Sequence, residues 1–346
     1  MRKLNTVRGI ISADEAKVIC PHEHVFVDGS HEAVEPKTEQ EKALFYGDVH
    51  MDVLGVLRRN PYVIRTNLIL DEVETEISEL RFLSEYNCNL LVDVTVPGIN
   101  RDVKTIQHIS KETGIEMIAA TGLFVEEAVK EPYLSWSAQQ IRDWMIDEIE
   151  SGIDGTGIKP GVYKIATSEK LQPLEVRTLE AVAAAYQKYP LPVYVHVFPW
   201  AHTAIDAIYI LTNGGVAPKD ICICHLDVSF NESYIKEVLQ TGAYVEFDNF
   251  SKEFYFEPQE GAFSGGPFET DLARVKMAKK LISEGYGEKL LFANDLCLKE
   301  SWRKYGGWGY DHIFRNIIPM MRTEGISEED IRQIIEINPK QFLFDL

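Results

Sequence analysis

"KVICPHEHVFV" occupies residues 17–27. The run is apolar and β-branched, which predicts a strand. It also carries two imidazoles, His22 and His24. Residues two apart on a strand share a face, so both rings can converge on one ion. Imidazole nitrogen suits zinc and neighbouring transition metals. The near-continuous apolar character predicts a strand covered on both faces, as in a parallel sheet.

Seven more short apolar runs follow it: NLLVDVTV (89–96), IEMIAATG (115–122), GVYKIAT (161–167), LPVYVHVF (191–198), ICICHLD (221–227), AYVEFD (243–248) and KLLFAND (289–295). Longer amphipathic stretches separate most of them. ETEISELRFLSEYN (74–87) is one, and SAQQIRDWMIDEIESG (137–152), opening on a Ser cap and ending in Gly, is another. Strands alternating with helices predict an α/β fold, a (β/α)8 TIM barrel with its active site at the C-terminal strand ends. One barrel domain over 1–346 accommodates the whole length. A polar insertion at 28–62 and long loops at 249–268 and 297–312 interrupt the rhythm, and loops of that length are usually functional or disordered.

Composition narrows the function. No run approaches the 18 or so apolar residues of a membrane span, and the N-terminus lacks the apolar core of a signal peptide. The chain therefore reads as cytoplasmic. Five cysteines, an odd number, argue for reduced thiols. A net charge of −19 disfavours nucleic acid and anionic membranes as partners. The expected partner is a small molecule, and an anionic one stays open because a pocket can be locally basic.

Polar residues recur at the ends of the strands. Lys164 lies in the fourth, His196 in the fifth, His225 in the sixth and Asp295 at the end of the eighth. Four histidines over three strand ends point to metal binding. His31, His50, His108, His202 and His312 fall in the insertion, in helical stretches or in a C-terminal loop, and read as structural or surface residues. Lys164 would be costly to bury charged. Its stem could snorkel to solvent, or the ammonium could be salt-bridged. A neutral buried amine could form a Schiff base or add carbon dioxide as a metal-bridging carbamate, and the nearby histidines favour the carbamate. Cys222 and Cys224 alternate with His225, which predicts that they face the helices as small hydrophobes.

These segments resemble the phosphotriesterase-related family of the amidohydrolase superfamily. PHEHVFVD resembles its opening H-x-H motif, LVDVTVPGINRDV its second-strand motif and GIKPGVYKIATS the segment of its carboxylated lysine. VYVHVF, ICICHLD and LLFANDLC resemble its fifth-, sixth- and eighth-strand motifs. The resemblance implies two divalent ions, zinc first, with manganese or cobalt as alternatives. His22, His24, carboxylated Lys164 and Asp295 would hold one, and His196, His225 and the same carbamate the other. A bridging hydroxide would attack, with Asp295 as proton shuttle. Relatives of this type are often homodimers, which makes a homodimer possible here and leaves the oligomeric state open. The long 28–62 insertion departs from members that hydrolyse organophosphates and leaves the substrate open.

Barrels often bind phosphate through the loops after strands seven and eight. Those loops supply Lys252, Arg303 and Tyr305, which read as phosphate-binding residues. With lactonases among the relatives, the leading expectation is opening of a phosphorylated sugar lactone of the pentonolactone 5-phosphate type. The alternatives are a phosphotriesterase or an acyl-homoserine lactonase, whose apolar channel Phe254, Phe256, Phe263, Trp302 and Trp308 could build. A non-catalytic metal-binding or carbohydrate-binding barrel is the alternative of another class. Asp295 and Lys164 argue against it, because pure binding needs no proton acceptor beside bridged metals.

Overall fold

The apolar runs fold as the strands of one parallel sheet: β1 (Val18–Glu23), β2 (Cys88–Asp93), β3 (Glu116–Thr121), β4 (Val162–Thr167), β5 (Val193–Val197), β6 (Ile221–Ile223), β7 (Tyr244–Phe247) and β8 (Leu290–Phe292). They neighbour one another in chain order. The computed structural model describes residues 2–255, 263 and 265–345. A helix follows each of the first seven strands: α1 (Val73–Leu80), α2 (Val103–Thr113), α3 (Ala138–Ser151), α4 (Pro173–Tyr186), α5 (Thr203–Asn213), α6 (Glu232–Gln240) and α7 (Asp271–Ser283). This is the expected (β/α)8 barrel, nearly closed.

Local chemistry sets the helix ends. Ser137 and Gln140 form a reciprocal capping box at the start of α3. Asp102 accepts from the amides of Lys104 and Thr105 at the start of α2. The helix expected over 74–87 is α-helical only to Leu80 and tightens into a 3-10 turn over Arg81–Tyr86, which Asn87 ends at φ 55°.

Among the described residues no ladder joins β1 to β8. The amide of Asp295 donates to the carbonyl of His22 at 3.2 Å across that seam. The fully buried Glu23 carboxylate accepts from Asn294 N (3.1 Å), Asn294 Nδ2 (3.0 Å) and Leu296 N (2.9 Å). A side chain thus replaces the missing backbone pairing. Below the site, the buried Tyr194 ring lies between His22 (5.9 Å) and Phe342 (5.2 Å), so the C-terminal helix Asn338–Phe344 plugs the barrel floor.

Several strands are shorter than their apolar runs. β1 ends at Glu23, and Val27–Asp28 instead pairs antiparallel with Ile69–Leu70. β6 ends at Ile223, and His225 sits at φ 67°. His225 therefore lies beyond the alternating part of β6. Cys222 and Cys224 turn to the barrel interior beside Glu246, with ligand atoms within 4.8 Å of one another, contrary to the expected orientation toward the helices.

The insertion at 28–62 carries the helices Glu39–Phe45 and Leu54–Leu57 and several 3-10 turns. Its Tyr62 packs with Leu68, Val228, Phe254, Phe268 and Leu298, which roofs one side of the barrel mouth. No described helix is long and apolar enough to cross a membrane.

Candidate active site

The strand ends bring six of the expected residues to one cleft: His22, His24, Lys164, His196, His225 and Asp295 line it together. Each is at least nine-tenths buried. The Nε2 atoms of His22 and His24 lie 3.4 and 3.1 Å from Asp295 Oδ1. Lys164 Nζ is 3.4 Å from His22 Nε2 and 3.7 Å from Cys224 Sγ. On the opposite wall the His196 and His225 rings meet edge to face, with centroids 4.5 Å apart.

Backing groups orient these rings. His22 Nδ1 is 2.7 Å from Glu246 Oε2 and 3.3 Å from Asp248 Oδ2. His225 Nδ1 is 3.0 Å from Asp248 Oδ1, and its backbone amide donates to the same carboxylate. Burial pushes Asp248 up, but His225 and His22 outweigh it and hold the carboxyl well below its usual range. An ionised Asp248 fixes Nδ1–H on both rings, which leaves each Nε2 lone pair for a ligand. His24 Nδ1 is 2.7 Å from the Thr95 hydroxyl. Burial, reinforced by His225 and Lys164, keeps His196 well below the ordinary imidazole value, and burial also lowers His24.

This donor set fits divalent ions. Four imidazoles and one carboxylate converge, and His22, His24 and Asp295 form one compact cluster. Glu246 Oε1 is buried without a hydrogen-bond partner among the described residues, and burial pushes its carboxyl well above the usual range.

The backing layer, Glu246 and Asp248, is not among the residues expected from the sequence. Asp248 ends its strand as Asp295 does, and Glu246 interrupts AYVEFD as Lys164 interrupts GVYKIAT; those parallels were the available signal. Also outside that set are His31, Glu32 and Tyr62, which the insertion delivers to the cleft wall. The His31 ring packs edge-on against Phe124 at 5.6 Å, and Tyr62 donates to the Phe263 carbonyl at 2.9 Å. A polar insertion carries no periodicity that would mark which residues fold inward.

The three expected phosphate-binding residues separate. Lys252 lines the cleft and pairs with Asp295 Oδ2 at 2.5 Å. Arg303 does not line it: its guanidinium pairs with Asp311 and lies 3.8 Å from the Phe82 ring centroid. Tyr305 donates to Glu72 Oε1 at 3.0 Å and borders a different cleft. The cause is Glu72, just before α1, which also takes Lys299 at 3.2 Å and Lys304 at 2.5 Å. Of the expected channel aromatics, Phe254 and Phe263 line the cleft, Trp302 is buried against Tyr305, Trp308 lies elsewhere, and Phe256 falls outside the described residues.

The Phosphotriesterase family matches residues 2–343. The chain belongs to the phosphotriesterase family. It is 32% identical to the N-acetyltaurine hydrolase of Danio rerio, over 99% of this chain and 97% of that protein. It is 31% identical to a phosphotriesterase-related protein of Nematostella vectensis, over 98% and 97%. A solved Resiniferatoxin-binding protein from Rhodobacter sphaeroides superposes with a TM-score of 0.94 at 25% identity, covering 98% of this chain and 94% of that one. Phosphotriesterase-family proteins are metal-dependent hydrolases, typically binuclear, and this chain is a hydrolase of that family with His/Asp clusters able to bind metal.

Proposed function

We propose that the chain hydrolyses a carboxylic acyl bond, and that its substrate is a lactone or ester with an apolar body. One observation carries this reading: the imidazole–lysine–aspartate floor opens into a cleft whose walls include Val27, Leu68, Ile99, Phe124, Phe263 and Phe268. Lys252 is the one cation besides Lys164 among the lining residues described, and it is already matched by Asp295. A phosphate dianion would need further cations, and Arg303 lies elsewhere. This favours an acyl-homoserine-type lactone over a phosphorylated sugar lactone.

Divalent ions, zinc first, held by His22, His24, Lys164 and Asp295 and by His196, His225 and Lys164, would supply Lewis acidity that activates water and polarises the acyl oxygen. Carboxylation of Lys164 belongs to the same reading: its Nζ bonds the carbon of CO2 and a proton leaves. Asp295 takes the proton of the attacking water and delivers it to the leaving alkoxide. Lys252 keeps Asp295 ionised: burial raises that carboxyl, and the ammonium outweighs it. The aromatic walls exclude bulk water around the acyl group.

A second reading is amide hydrolysis of a small N-acyl sulfonate. It rests on the N-acetyltaurine hydrolase relatives. Metal-loaded protein assayed on decanoyl-homoserine lactone, pentonolactone 5-phosphate, N-acetyltaurine and paraoxon separates these. The leading reading expects the apolar lactone to exceed the phospholactone in kcat/KM by roughly 10-fold or more, the scale of a few methylenes in an apolar pocket. A preference for paraoxon, or no turnover of either lactone or the amide by fully loaded enzyme, overturns the acyl assignment.

A further inference from the structure

A second, larger cleft of about 1510 Å³ lies across the segment Ser251–Tyr255 from the first. Neighbours along that segment face opposite ways. Lys252 lines the first cleft, Ser251, Glu253 and Tyr255 line the second, and Phe254 borders both. The Tyr255 amide donates to the Arg59 carbonyl at 3.1 Å, which ties the segment to the insertion.

The insertion brings Arg58 and Arg59 to this cleft, and both are exposed. Among the described residues neither guanidinium has an ion-pair partner, whereas Arg2, Arg101, Arg274 and Arg303 are each matched by a carboxylate. The lining also holds Glu253 and Glu300, so the two arginines create no net positive field, but their adjacent guanidinia, outside any ion pair, are suited to bidentate anion recognition.

An independent observation comes from Glu300, which lines the same cleft and is 8% exposed. Its Oε1 takes Asn67 Nδ2 at 3.3 Å, but its Oε2 is buried with no hydrogen-bond partner among the described residues. A buried oxygen left so carries an uncompensated desolvation cost, which a ligand donor would relieve. The flanks are aromatic. Tyr255 is 59% and Trp308 49% exposed, and Trp308 stacks on His312 at 5.2 Å.

We infer that this cleft is a second ligand site for a small aromatic anion carrying a hydroxyl or ammonium donor. Its carboxylate or phosphate meets Arg58 and Arg59, its ring lies on Tyr255 or Trp308, and its donor reaches Glu300 Oε2. The inference is independent of the acyl-hydrolase reading, because no catalytic-cleft ligand takes part.

Calorimetry and tryptophan fluorescence on the metal-loaded full chain test it, with 4-hydroxybenzoate, phenyl phosphate and inorganic phosphate as probes. Saturable binding of both aromatic anions is expected, tighter than that of inorganic phosphate. Arg58→Gln/Arg59→Gln should weaken it roughly 10-fold or more, the scale of lost charge-assisted hydrogen bonds, with an unchanged melting temperature. Glu300→Gln should weaken 4-hydroxybenzoate more than phenyl phosphate, which lacks the hydroxyl. His24→Asn should leave binding intact. Equal affinity for inorganic and phenyl phosphate, no saturable binding, or loss in His24→Asn with none in the arginine variant would overturn the assignment.

Discussion

The Lys252 ammonium lies 2.5 Å from the Asp295 carboxylate across 43 positions of chain. Burial opposes the lysine's charge, but Asp295 outweighs it and holds Lys252 above its ordinary range. The pair joins the seventh loop to the end of the eighth strand and puts a fixed cation beside the proposed proton carrier. Lys252→Met should lower kcat/KM by roughly 10- to 100-fold, the scale of a hydrogen bond to a charged group. Lys252→Arg should recover part of the loss. Steady-state kinetics on a neutral lactone and on N-acetyltaurine reads both roles. A larger loss on the sulfonate assigns Lys252 to substrate charge, and an equal loss assigns it to Asp295.

Asp248 accepts from the backbone amide of His225 and from its ring, and it lies within 3.3 Å of His22 Nδ1. It contacts both halves of the ligand set from behind. Asp248→Asn keeps the shape and removes the charge that fixes both tautomers. Metal affinity or activity should fall by about 10- to 100-fold, the usual cost of losing such a backing group. Metal content by elemental analysis after dialysis against graded chelator checks it, and unchanged retention would falsify the orienting role.

Chelation should abolish turnover and lower the melting temperature, because an ion that binds only the folded chain stabilises it by about 2.7 kcal/mol at a hundred times its Kd. Zinc, manganese or cobalt should restore both. Lys164, 1% exposed and set between His22 and Cys224, is the proposed carbamate. Metal-loaded protein equilibrated with 13C-bicarbonate should show a carbamate carbon resonance that Lys164→Met lacks. Its absence in active, loaded enzyme would remove the carbamate and leave the histidine–aspartate set standing.

Periodicity made the barrel legible. Seven of the eight strands fall within their apolar runs and β2 starts one residue earlier, at Cys88, because a strand covered on both faces must be apolar on both. The ligand set was legible for the complementary reason: a polar residue in such a run stands out, as Lys164 does between Tyr163 and Ile165. Glu246 stands out equally in AYVEFD, yet its role appears only when His22, 224 positions away, reaches its carboxylate. The loop cations could not be read from sequence. Arg303 and Tyr305 are ordinary candidates until Asp311 and Glu72, one of them on a distant segment, claim them.

Glu23 replaces the missing ladder between β1 and β8 with three accepted hydrogen bonds. Glu23→Ala leaves three donors at the seam without their acceptor, and each buried unsatisfied group costs about 1–3 kcal/mol. The variant should be destabilised by about 3 kcal/mol or more in urea unfolding. A loss under about 1 kcal/mol would mean that the backbone contact between Asp295 and His22 closes the barrel by itself.

Glu72 gathers Lys299, Lys304 and Tyr305, and its titration shows what holds the eighth loop. Partial burial raises the carboxyl, but hydrogen bonds from Lys304, Thr75, Lys299 and Tyr305 outweigh it and hold it at about 2, against an ordinary 4.5. A depressed folded value means that the unfolded chain binds the proton first. The stabilisation is therefore complete above about pH 4.5 and is lost as pH falls toward about 2. Glu72→Gln preserves the shape without the charge, so the two proteins should differ in melting temperature at pH 7 and converge as pH falls through that window. Other carboxylates titrate in both proteins and cancel in the difference. A gap that stays constant down to pH 2.5 would show that hydrogen-bond geometry, rather than charge, anchors the loop.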